Sequence, residues 1–528
     1  MVQKQKIILA LEILLIFSFL LFVGSGTVIS PFVGEINMID EGQLGAWIRH
    51  MLHGEFLYKD IYAAYGPLYV YPAYLAAKVF GPSVFLIRVF YLTIYTFLAI
   101  LILRMVLVKL RVGYGFALLV IGALLIVPGF GMRQGMGLLA IMTGYLAFDS
   151  KKRITSIIAG VVLALAYLIS SEVGIFSTLI LFLLFFLRLV NARQVKEVLL
   201  RIALLVLSSV MVFFVFYVWA STEGWFWSYL NSIISDMTIY SGIALPNGKS
   251  FPNIIELVPV DFSAVAWAKY IVSKELLLYW LFLLYIVTFL YLFIRFVLGK
   301  ADKRDELVFL IAVYGFFLAT ILIGRSGHFS FTLAPAFILL AVFSDILFGH
   351  YKGAKNRKEK FLSLFILIII FLFLARIVLI YRPHFPKIIN VPAAVISAKS
   401  SPEFVGNTKI PLFQETEIRE MQLFVAENTT PKDAVFFLGN EPMMYLLTNR
   451  DNPTRYDIPV VANTRQKRLE VLDDIKRDRT KYIIYNKNSW PVDEVNNFVR
   501  IPELRDYLAL NYKREDRGSF ILYTRIDP

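Results

Sequence analysis

The sequence predicts an α-helical polytopic membrane protein that carries a small α/β domain at its C-terminus. Of its 528 residues, 58% are hydrophobic and only 17% charged, where soluble domains average about 45–50% apolar and about 25% charged. Eleven apolar runs, near the roughly 20 residues that cross a bilayer core, fill most of the first 381 positions. The last stretch of about 145 residues has instead the mixed polarity of a folded water-soluble unit.

The runs lie at about 6–29, 84–108, 113–128, 135–148, 154–170, 173–190, 198–220, 274–298, 305–323, 329–348 and 361–381. Basic patches recur in every second loop: Lys109 and Arg111; Lys151, Lys152 and Arg153; Arg188, Arg193, Lys196 and Arg201; Lys300, Lys303 and Arg304; then Lys352 to Lys360. With the Lys4/Lys6 end inside, the positive-inside rule puts each patch in the cytoplasm, and eleven spans leave the C-terminus outside. The first run is too long for the 7–15-residue core of a cleavable signal and reads as a retained anchor. The expected protein is therefore integral to the cytoplasmic membrane, with its N-terminus cytoplasmic.

The formal charge of +14 resides almost wholly in the hydrophobic part. Residues 382–528 hold 22 basic against 20 acidic groups, the first 381 residues 31 against 19. Such a distribution expresses membrane topology rather than nucleic-acid binding. The absence of cysteine excludes disulfides, thiolate metal sites and thiol catalysis.

Two units follow: a transmembrane domain over 1–381, whose first outer loop spans 30–83, and an extracytoplasmic α/β domain over 382–528. In the latter, DAVFFLG, KYIIYNK and SFILYTR read as short strands, and the stretches near 415–428 and 463–478 as helices. The other large outer region is about 221–273.

The first outer loop opens with DEGQLGAWIRHMLHGEFLYKD, in which Leu44, Trp47, Ile48, Met51 and Leu52 form one helical face. Gln43, Arg49, His50 and His53 populate the other side, Trp47 suits the headgroup zone, and the helix is expected to lie in the interface plane. Asp40 and Glu41 sit at its start. Asp40 with Gln43 can form a capping box, and Glu41 can complement the helix dipole. Two adjacent carboxylates at the mouth of a membrane bundle are also costly to desolvate, and a carboxylate held against a polar substrate is what a general base needs.

The stretch IDEGQLGAWIRHMLHGEFLYKDIYAAYGPLYVYPAYLAAKVFGPSVFLIRV resembles the first outer loop of the GT-C superfamily of polytopic glycosyltransferases. The likeness is greatest to the branch holding dolichyl-phosphate-mannose protein mannosyltransferases and the lipid A aminoarabinose transferase. It implies a GT-C-like fold and inverting transfer of a hexose or pentose from a polyprenyl-phosphate donor. The acceptor, a glycan, lipid or protein, would lie on the outer face. It also implies Asp40 as the base, with Glu41 assisting. Aminoarabinose-transferase-like members usually carry Lys-Pro-Pro later in this loop, where this chain has Tyr65-Gly66-Pro67; Lys59 and Arg88 are the nearby cations able to compensate. Tyr62 and Tyr65 belong to an aromatic-rich lining suited to sugar rings or to the membrane interface.

Cations are scarce on the outer side. Arg325 and His328 in GRSGHFSFTLAPAF precede a helix start, where a guanidinium and backbone N–H groups can hold a phosphate, and the position resembles the family's late-loop donor contact. Arg133 in PGFGMRQGMG and Glu172 in LISSEVGIF are further substrate-contact candidates. None of the five His has metal-ligand spacing. His50 and His53 could share a metal with Asp40 or Glu41, but a solvated pair is the simpler reading, so no metal and no cofactor are expected. The competing class is a secondary transporter or flippase of a lipid-linked or anionic substrate, which would show internal repeats and spans broken at mid-membrane.

Overall fold

The computed structural model describes residues 2–24, 30–127, 129–190, 194–240, 258–259, 261, 263–271, 273–324, 330–380, 402–489, 491 and 495–526. Each of the eleven apolar runs contains a helix among its described residues: Val2–Phe22, Val84–Lys109, Tyr114–Ile126, Met132–Asp149, Ile154–Ile169, Ser171–Val190, Val195–Thr222, Lys274–Val297, Lys303–Gly324, Leu333–Gly353 and Arg357–Ile380. Among the described residues, six helices are long and apolar enough to cross a membrane by length and composition. Tyr114–Ile126, at roughly 20 Å, is shorter than a bilayer core. Lys303–Gly324 opens with four consecutive charged residues, which its ion pairs explain.

Those pairs gather the basic loops at one end of the bundle. Lys109 and Lys303 both reach Asp149, at 2.8 and 2.6 Å, Arg188 pairs with Glu306, and Arg304 meets Asp345 at 3.2 Å. Asp345 also accepts the Gly113 N–H. Loops that the charge pattern assigns to one side thus touch one another. The first loop, Arg133, Glu172 and Phe331 meet at the other end.

The C-terminal unit has a four-stranded sheet, with β1 (Val435–Phe437), β2 (Tyr482–Asn486), β3 (Tyr512–Arg517) and β4 (Phe520–Arg525) in the order β1-β2-β4-β3. β1 and β2 are parallel and the remaining pairs antiparallel. Helices Leu412–Asn428 and Arg465–Asp478 accompany it. Sequence patterning identifies three of these strands but not β3. YKREDR has no apolar alternation, and it is an exposed edge strand held by its hairpin with β4 through a turn at Gly518.

This unit is seated on the loop that follows the first apolar helix, residues 30–83. Gln414 bonds both the N–H and the carbonyl of Ile36, Lys409 bonds Phe32 and Gly34 through backbone, and Met443 N–H reaches the Met38 carbonyl. The closest approach is at Gly42, where a Cβ would stand 2.6 Å from the Met443 nitrogen. Backbone rather than a yielding side chain blocks the space. Gly42→Val is therefore expected to cost about 1–3 kcal/mol and to raise amide hydrogen exchange across 439–446. Unchanged exchange there would show that the two segments do not meet.

Candidate active site

The helix Asp40–Leu52 buries Leu44, Trp47, Ile48 and Met51. Its start is capped by Asn37, whose Oδ1 accepts the N–H groups of Ile39 and Asp40, not by the expected box of Asp40 with Gln43. Asn37 Nδ2 donates in turn to Asp40 Oδ2 at 3.0 Å. Capping therefore does not occupy the Asp40 carboxylate as an acceptor of helix N–H groups.

The adjacent carboxylates have opposite surroundings. Asp40 is exposed, whereas Glu41 is 1% exposed and pairs with Arg88, itself fully buried, at 3.0 Å. Arg88 Nη1 donates to the carbonyls of Ser30 and Gly34, and Nη2 to that of Glu35. Every guanidinium nitrogen is thus engaged, which corrects the expectation of Arg88 as a donor-phosphate cation. Burial pushes the Glu41 carboxyl above its usual range, while the Arg88 charge and hydrogen bond pull it down. Glu41 and Arg88 together fix the backbone of residues 30–35, and with it the start of the Asp40 helix.

On the facing side, Arg133 at the start of the helix Met132–Asp149 pairs with Glu172 and donates to Ser170 Oγ at 3.3 Å. Its guanidinium lies 4.9 Å from the Tyr65 ring and 5.3 Å from Phe331. The structure thereby unites three expected residues, Arg133, Glu172 and Tyr65. It also sets the two charges against each other, so a phosphate at Arg133 must compete with Glu172.

Aromatic rings connect this pair to the Asp40 helix. Trp47 meets Tyr65 edge-on at 5.7 Å, Tyr65 packs on Tyr69 at 4.9 Å, and Tyr69 on Tyr91 at 6.1 Å. Trp47 is thus buried against the protein. Burial holds the Tyr69 hydroxyl well above the usual phenol range, so it is a neutral donor. Tyr91 lies in the electrostatic field of Asp40, Tyr65, Arg133 and Glu41. It sits in a π-helical stretch, Val89–Ile94, of a kind frequent at functional sites. Sequence reading passes over it because its surroundings are apolar; the tyrosines and threonines of YLTIYT within an apolar run are the available signal.

Other expected residues lie elsewhere. Lys59 is exposed, seven residues beyond the end of the Asp40–Leu52 helix, and sits over the Phe56 ring. It lines an open polar cleft of about 850 Å³ with Glu55, Asp60, Arg455 and Arg465. Tyr62 packs against Tyr456 at 5.7 Å under Lys467, and its N–H reaches the Arg455 carbonyl. It belongs to the contact between the first loop and the C-terminal unit. Arg325 and His328 lie outside the described residues; Phe331, three positions after His328, is the residue that touches Arg133.

Part of the polar face of the Asp40 helix, expected to be solvated, is roofed by the C-terminal unit. Arg49 and His50, each 2% exposed, pair with Asp451 at 2.5 Å and with Asp457 at 3.0 Å. Charged groups bury only with partners, and here the partners arrive from about 400 residues along the chain. Burial pushes the His50 imidazole down, but Asp457 and Glu55 outweigh it and raise its pKa to about 10.

Fold and site define a polytopic helical protein whose first-loop acidic helix is clamped between the bundle and an α/β cap. No family model matches the chain, and no curated protein matches it. Fifteen chains of solved structures are similar, two of which follow. One is the archaeal oligosaccharyltransferase AglB from Archaeoglobus fulgidus, in complex with an inhibitory peptide and a dolichol-phosphate. It has a TM-score of 0.49 and 14% identity, covering 98% of this chain and 74% of that one. The other is ArnT from Cupriavidus metallidurans in the apo state, with a TM-score of 0.47 and 11% identity, covering 99% and 98%.

Proposed function

We propose that this protein is an inverting glycosyltransferase that moves a hexose or pentose from a polyprenyl-phosphate donor to a glycan, lipid or protein acceptor on the outer face of the cytoplasmic membrane. The observation that carries the reading is the division between Asp40 and Glu41: one exposed carboxylate at a helix start, fixed from beneath by a buried Glu–Arg pair. A positioned base must be accessible, and its support must not move. In the reaction, Asp40 accepts the proton of the acceptor hydroxyl as that oxygen attacks the anomeric carbon. The C–O bond to the donor phosphate breaks on the opposite face, and the phosphate leaves with the electron pair. Arg133, together with Arg325 and His328, supplies positive charge for that phosphate, and Tyr65 offers a ring face to the sugar.

Mass spectrometry of surface glycans from cells with and without the protein tests the activity. Loss of a defined glycan only in cells lacking the chain is expected, and identical profiles would contradict the reading.

In the same reading the basic end of the bundle faces the cytoplasm. The native chain has no cysteine, so single Cys residues report topology. Thr430→Cys is expected to react with an impermeant thiol reagent in intact cells and Asn356→Cys only after permeabilisation. The reverse pattern would invert the orientation.

A further inference from the structure

A histidine and two carboxylates meet at the far end of the Asp40 helix, away from the residues given a catalytic part. His50, Glu55 and Asp451 each present one ligand atom, and these atoms all lie within 4.8 Å of one another. Glu55 follows the helix, whereas Asp451 comes from the C-terminal unit, so the cluster spans the contact between them.

Three features separate it from an ordinary buried ion pair. The first is the orientation of His50. Its Nε2 lies 3.0 Å from Asp457 Oδ1, and that oxygen also accepts from Asn452 Nδ2 at 2.9 Å. A carboxylate on one ring nitrogen fixes the tautomer and turns the other nitrogen toward a metal as a lone-pair donor, which is the usual outer-shell arrangement of metal-binding histidines. The second is that Nδ1 itself, although buried, has no hydrogen-bond partner, while Glu55 Oε2 stands 3.0 Å from it in an arrangement that makes no hydrogen bond. Two ligands each about 2.0–2.1 Å from a tetrahedral zinc are themselves only about 3.3 Å apart, so this spacing suits a shared cation.

The third is charge. The carboxylates of Glu55, Asp451 and Asp457 lie around the imidazole, and among the described residues the Arg49 guanidinium on Asp451 is the only Lys or Arg paired with them. A metal on Nδ1 takes the place of that nitrogen's proton, and the three carboxylates with Arg49 then leave about two negative charges, which a divalent cation balances. His53, with Nδ1 3.3 Å from Asp451 Oδ1, stands close by as a further nitrogen donor.

We infer that His50, Glu55 and Asp451 form a site for a zinc-class divalent cation that fastens the C-terminal unit to the first outer loop. One imidazole with two carboxylates suits Zn2+, whereas Mg2+ prefers an all-oxygen shell. Glu55 and Asn452 also line the polar cleft, so the site sits at its rim. The inference does not depend on the proposed transferase activity.

The test uses the untagged full-length protein in detergent, stripped with a chelator and titrated with Zn2+ by calorimetry. Visible absorption on Co2+ substitution gives a second readout. One Zn2+ per chain is expected, with a rise in Tm on binding. Glu55→Gln, at a half-exposed position, should weaken binding about 100-fold, and the outer-shell change Asp457→Asn about 10–100-fold. His50→Gln should abolish it; if that variant does not fold, Glu55→Gln decides the matter. Absence of saturable Zn2+ uptake by the native protein, equal affinity for Mg2+, or unchanged affinity in Glu55→Gln would each overturn the assignment.

Discussion

Arg88→Ala is expected to destabilise the protein by about 3–5 kcal/mol, because it strands the buried Glu41 carboxylate without a counter-charge. Losses of this size rival the entire stability of many domains. The guanidinium also holds the carbonyls of Ser30, Gly34 and Glu35, so the first loop loses three further hydrogen bonds. Lysine cannot replace it, since a single ammonium does not reproduce the fork. The pH dependence has a definite sign. Burial already raises the Glu41 pKa, and removing Arg88 raises it further. The folded variant then holds a proton that the unfolded chain releases, so its deficit is smallest below the ordinary carboxylate range and grows as the pH rises. The double variant Glu41→Gln/Arg88→Met should recover much of the loss, since two neutral groups carry no stranded charge. Thermal unfolding of the four proteins in one detergent gives the cycle. A deficit under about 1 kcal/mol in Arg88→Ala would mean that Glu41 is neutral or hydrated without it.

The spans were legible because about 20 apolar residues in a row leave few alternatives to a membrane helix, and the strands of the C-terminal unit because VFF, YIIY and FILY have no competing helical period. The Asp40–Glu41 pair was equally visible as a chemical oddity at a helix start. Which of the two faces solvent was not. Helical geometry places both beside the apolar stripe of Leu44, Trp47, Ile48 and Met51, and only Arg88, 47 positions away, separates them. Arg49 and His50 were read as a wet face for the same reason: periodicity defines a polar side but not what covers it. The covering carboxylates, Asp451 and Asp457, lie in a loop with no motif of its own. Pairing of Arg133 with Glu172 was similarly hidden, although each residue was a candidate alone.

Asp40→Asn is expected to fold normally and to bind donor, yet to lose transfer by about a hundredfold or more, the usual scale for a missing general base. The cap belongs to Asn37, so the helix start survives, and an amide oxygen at position 40 still accepts from Asn37 Nδ2. The lost helix-dipole interaction costs only about 0.3–1 kcal/mol. Glu41→Gln differs in kind: its effect should appear in thermal stability, with a smaller fall in rate, because that carboxylate is turned inward. Single-turnover transfer by reconstituted Asp40→Asn, with a saturating polyprenyl-phosphate-sugar donor and donor affinity measured alongside, tests the assignment most directly. Native donor affinity with a rate at least about a hundredfold below native is the predicted result; a rate near native would remove Asp40 as the base and contradict the mechanism.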